Sequence, residues 1–148
     1  MNPYMVITFD QTAIFQPFVA LMLLTLAVWT FMYIRRLGYM FRHNIDPQRA
    51  TTPDKLTAAL SEQVQYPAYN LRNLSELPIL FYALCLALFA LNRVDMLYLE
   101  LAWAFVALRG LHSIVHCTFN RVKVRFAFYL LSSLVLWTMI VRLALWVL

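Results

Sequence analysis

Residues 70–91 read NLRNLSELPILFYALCLALFAL, and how this stretch meets its solvent decides the fold. From Leu77 onward it carries no charge and is apolar enough to sit in lipid. Before Leu77 it carries Arg72, Asn73 and Glu76, which spacings of three and four place on one face if the helix is continuous. An ionisable side chain at mid-membrane costs at least about 2.5–3.5 kcal/mol on insertion scales. A span that starts this way must therefore turn its polar face toward protein, water or a ligand.

The rest of the chain supports a membrane setting. Of 148 residues, 63% are apolar and 13% are charged, about half the charged share of ordinary soluble domains. With only Gly38 and Gly110, long helices are favoured over loop-rich or β-rich folds. Four segments are long enough to span, at about 1.5 Å per residue across a core of about 30 Å: residues 15–34, 71–91, 96–119 and 124–147. Their unbroken apolar runs do not alternate as barrel strands do. The expectation is an all-α integral membrane protein, a four-transmembrane-helix bundle forming one domain over residues 1–148. The N-terminal MNPYMVITFDQ holds no Lys or Arg, so the first run reads as a retained span rather than a secretory signal. Cys85 and Cys117 lie in or beside apolar runs and read as packing residues rather than a disulfide framework.

The links are unequal. Some thirty polar residues join the first two spans. Within them TTPDKLTAALSEQ predicts a short surface helix, with Thr52 as cap, Pro53 in the first turn and Asp54 at the positive end of the dipole. The other links are the short turns NRVD and NRVK. Arg35, Arg36, Arg42, Arg49 and Lys55 fall in the first link, and Arg121 and Lys123 in the third with Arg125 just after; the second holds only Arg93. By the positive-inside rule the first and third links face the cytoplasm and both termini face out. In a bacterium the membrane would be the inner one. The net charge of +5 then needs no nucleic-acid partner.

Each span brings polar groups to the cytoplasmic half. The first ends in Arg35, and the second offers Arg72, Asn73 and Glu76. The third offers Arg109, His112 and His116 at i, i+3 and i+7, and the fourth Arg125, Tyr129 and Ser132. Four helices contributing at similar depth imply a shared cavity, rich in cations, whose guest is anionic. Structural alternatives stand beside this reading. Glu76 could pair with Arg109 or Arg72, the histidines could hydrogen-bond between helices, and Arg35 and Arg125 could snorkel to phosphates. Glu100 and Arg142, at the opposite membrane face, read as a structural pair or interface anchors. Ala104, Ala107 and Gly110 read as a close-packing seam. Two histidines alone do not complete a metal site, so none is expected. A transporter is disfavoured because no internal repeat or interrupted helix pair is visible.

RNLSELP on the second span, RGLHSIVH on the third and RFAFY opening the fourth together resemble the MAPEG family, the membrane-associated proteins of eicosanoid and glutathione metabolism. The four-span layout with a long first cytoplasmic link matches as well. The resemblance implies a homotrimer with glutathione, as co-substrate, bent between neighbouring subunits near the cytoplasmic side. Arg35, Arg72, Asn73, Glu76, Arg109, His112 and Tyr129 fall at glutathione-contacting positions, and Arg125 at that of an arginine that stabilises the thiolate. His116 stands where active relatives often carry tyrosine, and Tyr69 where they tend to carry a second basic residue; the proline after Glu76 also comes early, at Pro78. The activity implied is a glutathione-dependent transferase or peroxidase acting on lipophilic electrophiles. The alternative is a non-catalytic membrane scaffold or lipid-binding protein on the same fold.

Overall fold

The computed structural model describes residues 9–148, all of whose regular elements are helical. Most of the tail without Lys or Arg lies outside the described residues. The long helices are α1 (Phe15–Arg42), α3 (Glu62–Leu74), α4 (Leu77–Ala90), α5 (Met96–Cys117) and α6 (Val122–Val147), with a short α2 (Pro53–Ala59) in the first link. Counting α3 and α4 as one crossing gives four helices long and apolar enough to span. The protein is thus an integral, multi-pass membrane protein.

The helix ends follow from local chemistry. Asn44, Asn92 and Asn120 have φ of 50°, 53° and 46°, the left-handed conformation that asparagine tolerates better than most residues. After Asn44 and Asn92 the chain closes the paired 6→1 and 5→2 hydrogen bonds of a helix stop, Ile45 N–H to Met40 O with Asn44 N–H to Phe41 O, and Arg93 N–H to Leu88 O with Asn92 N–H to Phe89 O. Asp95 starts α5 by accepting from the Tyr98 N–H at 2.9 Å. Thr52 caps α2 with Pro53 in its first turn, as the sequence predicts.

Two expected spans change. The first helix runs on past Ile34 to Arg42, because nothing in RRLGYMFR stops it before Asn44. At 28 residues it reaches about 42 Å, so its last turns project beyond a hydrocarbon core of about 30 Å. The second span begins nine residues early, at Glu62, and breaks at Ser75–Glu76. Pro78 has no N–H to offer the Leu74 carbonyl, and its ring clashes with that turn. The chain yields there: Glu76 takes φ −100°, ψ −95°, Ser75 N–H bonds Arg72 O, and Ser75 Oγ bonds Leu71 O at 3.0 Å. Arg72, Asn73 and Glu76 are therefore not one helical face.

Helix α5 is central, packed against α6, α1 and α3. Two halves of the bundle have different cores. Toward the Asn92 turn it is apolar, built on Ile14, Leu21, Phe81, Leu88, Phe105 and Leu136, with Phe81 and Phe105 stacked at 4.7 Å. Toward the first and third links the buried set is polar: Asn70, Arg109, His112, Ser113, His116 and Ser132. The small-residue seam is not packed within the chain, since Ala107 is exposed and a Cβ on Gly110 would meet nothing. The expected Glu100–Arg142 pair is also absent. Arg142 instead forks onto Asp95, Nη1 to Oδ1 at 2.9 Å and Nη2 to Oδ2 at 2.6 Å, because Asp95 closes the turn facing the last turns of α6 while Glu100 points outward.

Candidate functional site

The polar half is organised by α5. Arg109, His112, Ser113 and His116, spaced at i, i+3, i+4 and i+7, share its buried face. Arg109 is completely buried. Its Nε, Nη1 and Nη2 have no hydrogen-bond partner among the described residues. Its guanidinium instead lies 4.9 Å from the Tyr129 ring centroid and 5.4 Å from that of Phe105. Such contacts are worth up to about 2 kcal/mol when desolvated, but a ring face cannot replace acceptors for the in-plane N–H groups.

The start of α6 is tied to the same face. The Arg125 carbonyl accepts from His112 Nδ1 at 2.8 Å, which leaves the buried His112 Nε2 without a partner. Arg125 Nη1 donates to His116 Nε2 at 2.7 Å and also to Asn120 Oδ1. Because arginine can only donate, that ring nitrogen must accept and His116 carries its proton on Nδ1. His116 Nδ1 lies 3.5 Å from the Asn73 amide, so an Nδ1–H there requires the amide to present its oxygen, an amide orientation set by the hydrogen-bond network. His116 thus joins α3, α5 and α6 at one point.

A cavity of about 230 Å³ opens beside this junction, lined by Asn73, His112, Val122, Arg125, Phe126 and Tyr129. Four of the residues picked out in the sequence meet there, and Arg109 lies beneath through Tyr129. The other three do not join them. Arg35 reaches toward the Cys117 carbonyl at 3.5 Å and lines a separate groove with Arg42 and Gln63. Arg72 and Glu76 are exposed, and Glu76 forms no ion pair with Arg72 or Arg109; the ion pair found among the described residues is Arg142–Asp95. The break before Pro78 accounts for this, since it turns Glu76 off the face that carries Asn73.

The interhelical hydrogen bonding open to the histidines in the sequence is found at His116, whereas Asn70 and Asn120 are not singled out there. Asn70 is fully buried, with Nδ2 3.5 Å from Cys117 Sγ and Oδ1 unpartnered. Its spacing of three from Asn73 is a usable signal. Asn120 offers none, because its side-chain partner depends on how the turn closes. Among the described residues no three His, Cys, Asp or Glu side chains gather as a metal set.

A four-span helical membrane protein with an apolar core at one end and, at the other, a cluster of buried polar groups without partners among the described residues is the class defined here. The chain belongs to the MAPEG family, whose profile matches residues 14–145; that family includes glutathione transferases and eicosanoid enzymes. No curated protein and no solved structure matches the chain.

Proposed function

We propose that this protein is a glutathione-dependent transferase or peroxidase acting on lipophilic electrophiles within the membrane. The observation that carries the reading is the buried guanidinium of Arg109, which has no hydrogen-bond partner among the described residues, beneath a cavity lined by Asn73, His112, Arg125 and Tyr129. Unmet buried donors cost about 1–3 kcal/mol each, more when charged, and an anion supplies what they lack. Glutathione fits by its two carboxylates, which guanidinium groups take as bidentate acceptors.

One chain offers only part of such a site. The cavity is smaller than the roughly 300–1,000 Å³ of small-molecule sites, and no carboxylate lines it to meet an ammonium. Arg72 and Glu76 face outward instead. This supports a homotrimer in which Arg72 and Glu76 of one copy complete the cavity of its neighbour, with residues 1–148 acting as one unit. The basic first and third links support an orientation with that end in the cytoplasm and both termini outside.

When bound, glutathione supplies the nucleophilic sulfur. Arg125 is held by Asn120 and His116 through Nη1, and it lines the cavity. A guanidinium there favours thiolate over thiol. The guanidinium of Arg109 offers donors to the peptide anion, the Nε2 lone pair of His112 can accept from a peptide N–H, and the exposed Phe126 and Val122 open the cavity toward lipid, from which an apolar electrophile arrives.

The scaffold reading has its own observation: the Arg125–His116–Asn120 lock would also serve purely to hold helices together. Calorimetric titration of detergent-purified protein with glutathione separates the two. Saturable binding, weakened by Glu76→Gln without loss of assembly, is expected; no binding at millimolar thiol would leave the scaffold.

A further inference from the structure

At the opposite end of the bundle, away from the proposed glutathione site, lies a second cavity of about 150 Å³ lined by Arg93, Asp95, Tyr98, Arg142, Leu143 and Trp146. Two guanidinium groups flank it, each fixed against a ring. The Arg93 Cζ lies 3.6 Å from the Trp146 ring centroid and the Arg142 Cζ 4.2 Å from that of Tyr98. Arg142 is answered by the fork of Asp95, whose Oδ1 also takes the Tyr98 N–H. Arg93 is not. It has no carboxylate within ion-pair distance and no hydrogen-bond acceptor for its side chain among the described residues. Stacking occupies only the faces of its guanidinium, so the in-plane N–H groups stay available.

We propose that this cavity binds a phosphate group, with Arg93 as its principal ligand and the outer N–H groups of Arg142 as the second. Two cations against one already engaged carboxylate leave a net positive site, and a planar fork suits tetrahedral oxyanions. The cavity of about 150 Å³ is roomy enough for a phosphate group. The setting favours a phospholipid headgroup as the source. The site sits where two spans turn and α6 ends, tryptophan and tyrosine line it as they do membrane interfaces, and the adjoining Met96, Leu97 and Leu145 are exposed apolar side chains that acyl chains would cover. Free phosphate shares the chemistry and is the other source.

The test is native mass spectrometry of the full-length protein in neutral detergent, supplied with phosphatidylglycerol or with a phosphate-free glycolipid of the same acyl chains. The wild type is expected to retain phosphatidylglycerol about ten-fold better than Arg93→Gln, the loss expected for a charge-assisted contact of about 1.4 kcal/mol, and to show no such difference for the glycolipid. Arg93→Lys, which keeps the charge but not the fork, should fall between. Millimolar inorganic phosphate is then added: lipid that stays bound identifies the headgroup as the source, and lipid displaced by phosphate identifies a soluble anion, both of which uphold the site. Equal retention of phosphatidylglycerol by wild type and Arg93→Gln, or equal retention of the two lipids by the wild type, overturns it. Thermal melting of Arg93→Gln checks that any loss is not unfolding.

Discussion

The two ends of this bundle treat charge in opposite ways. At the Asn92 end Asp95 and Arg142 sit fork to fork, and Gln11 closes the turn by taking the Val94 N–H at 2.8 Å and giving its own amide to the Val94 carbonyl at 3.0 Å. At the Asn120 end Arg109, the Nε2 of His112 and the Oδ1 of Asn70 are buried without partners among the described residues. The Asp95–Arg142 pair is complete within one chain, half exposed, and holds helices in place, while Arg93 beside it has no ion-pair partner among the described residues. The set at the Asn120 end is deep and incomplete, and a structure retains so costly a set when something else completes it. The difference sets an ion pair answered inside the chain against a deeper polar set that the proposed ligand would complete.

The largest effect expected from breaking this contrast is at Arg125. Arg125→Ala should lower turnover by about 10²-fold, the range seen when one charge-stabilising donor is removed, and lower glutathione affinity much less. The absorbance of the bound thiolate, titrated against pH, should shift to higher pH in the variant. Coincident curves would make Arg125 a structural arginine.

Next comes a matched pair. Arg109→Met removes a buried cation that has no answer and should raise the melting temperature of the ligand-free protein, by about 1–2 kcal/mol in stability, while abolishing glutathione binding. Arg142→Met should lower it by about 1 kcal/mol, because a half-exposed pair is screened by solvent and its loss leaves Asp95 bare. If both substitutions destabilise alike, the two ends are not different in kind.

The bridge through His116 gives a smaller, sharper test. In His116→Gln the introduced amide oxygen can still accept from Arg125, whereas His116→Leu offers no acceptor. The leucine variant should lose about ten-fold in turnover at unchanged assembly, and the glutamine variant should recover most of it, about 1.4 kcal/mol of barrier. Equal loss in both would mean that packing, not the hydrogen bond, matters there.

The smallest effect is a pH dependence. The hydrogen bond from Arg142 holds the Asp95 carboxyl below the ordinary aspartate value of 3.8, assisted by the Tyr98 N–H and opposed by partial burial. A depressed folded value stabilises above the unfolded one and is lost as pH falls through the folded value. Melting curves should therefore show an acid loss below about pH 4, well under 1 kcal/mol for so exposed a pair, which Asp95→Asn removes.

Much of the architecture is legible because it rests on local rules. Apolar run length marks the four crossings, Thr52 and Pro53 mark the surface helix, and the spacing of Arg109, His112 and His116 marks their common buried face. Pro78 is in plain view, but its consequence is easily missed: a residue that cannot donate to the Leu74 carbonyl breaks the span and turns Glu76 away from Asn73. The pairing of Arg142 with Asp95 rather than Glu100 is not readable, since both acids lie within one and a half turns of each other.

By itself the sequence determined the medium, the number of crossings and the residue types that had to be hidden from lipid, because hydropathy and helical periodicity act over a few turns of one chain. Only the tertiary structure decided which of those hidden groups answer one another. Asn73, His112, His116 and Arg125 come from three helices, and whether two side chains meet across such distances depends on helix rotation and on where a proline breaks the backbone. That is why Arg125 is bound by His116 while Arg109, two turns earlier on the same face of α5 as His116, has no hydrogen-bond partner among the described residues.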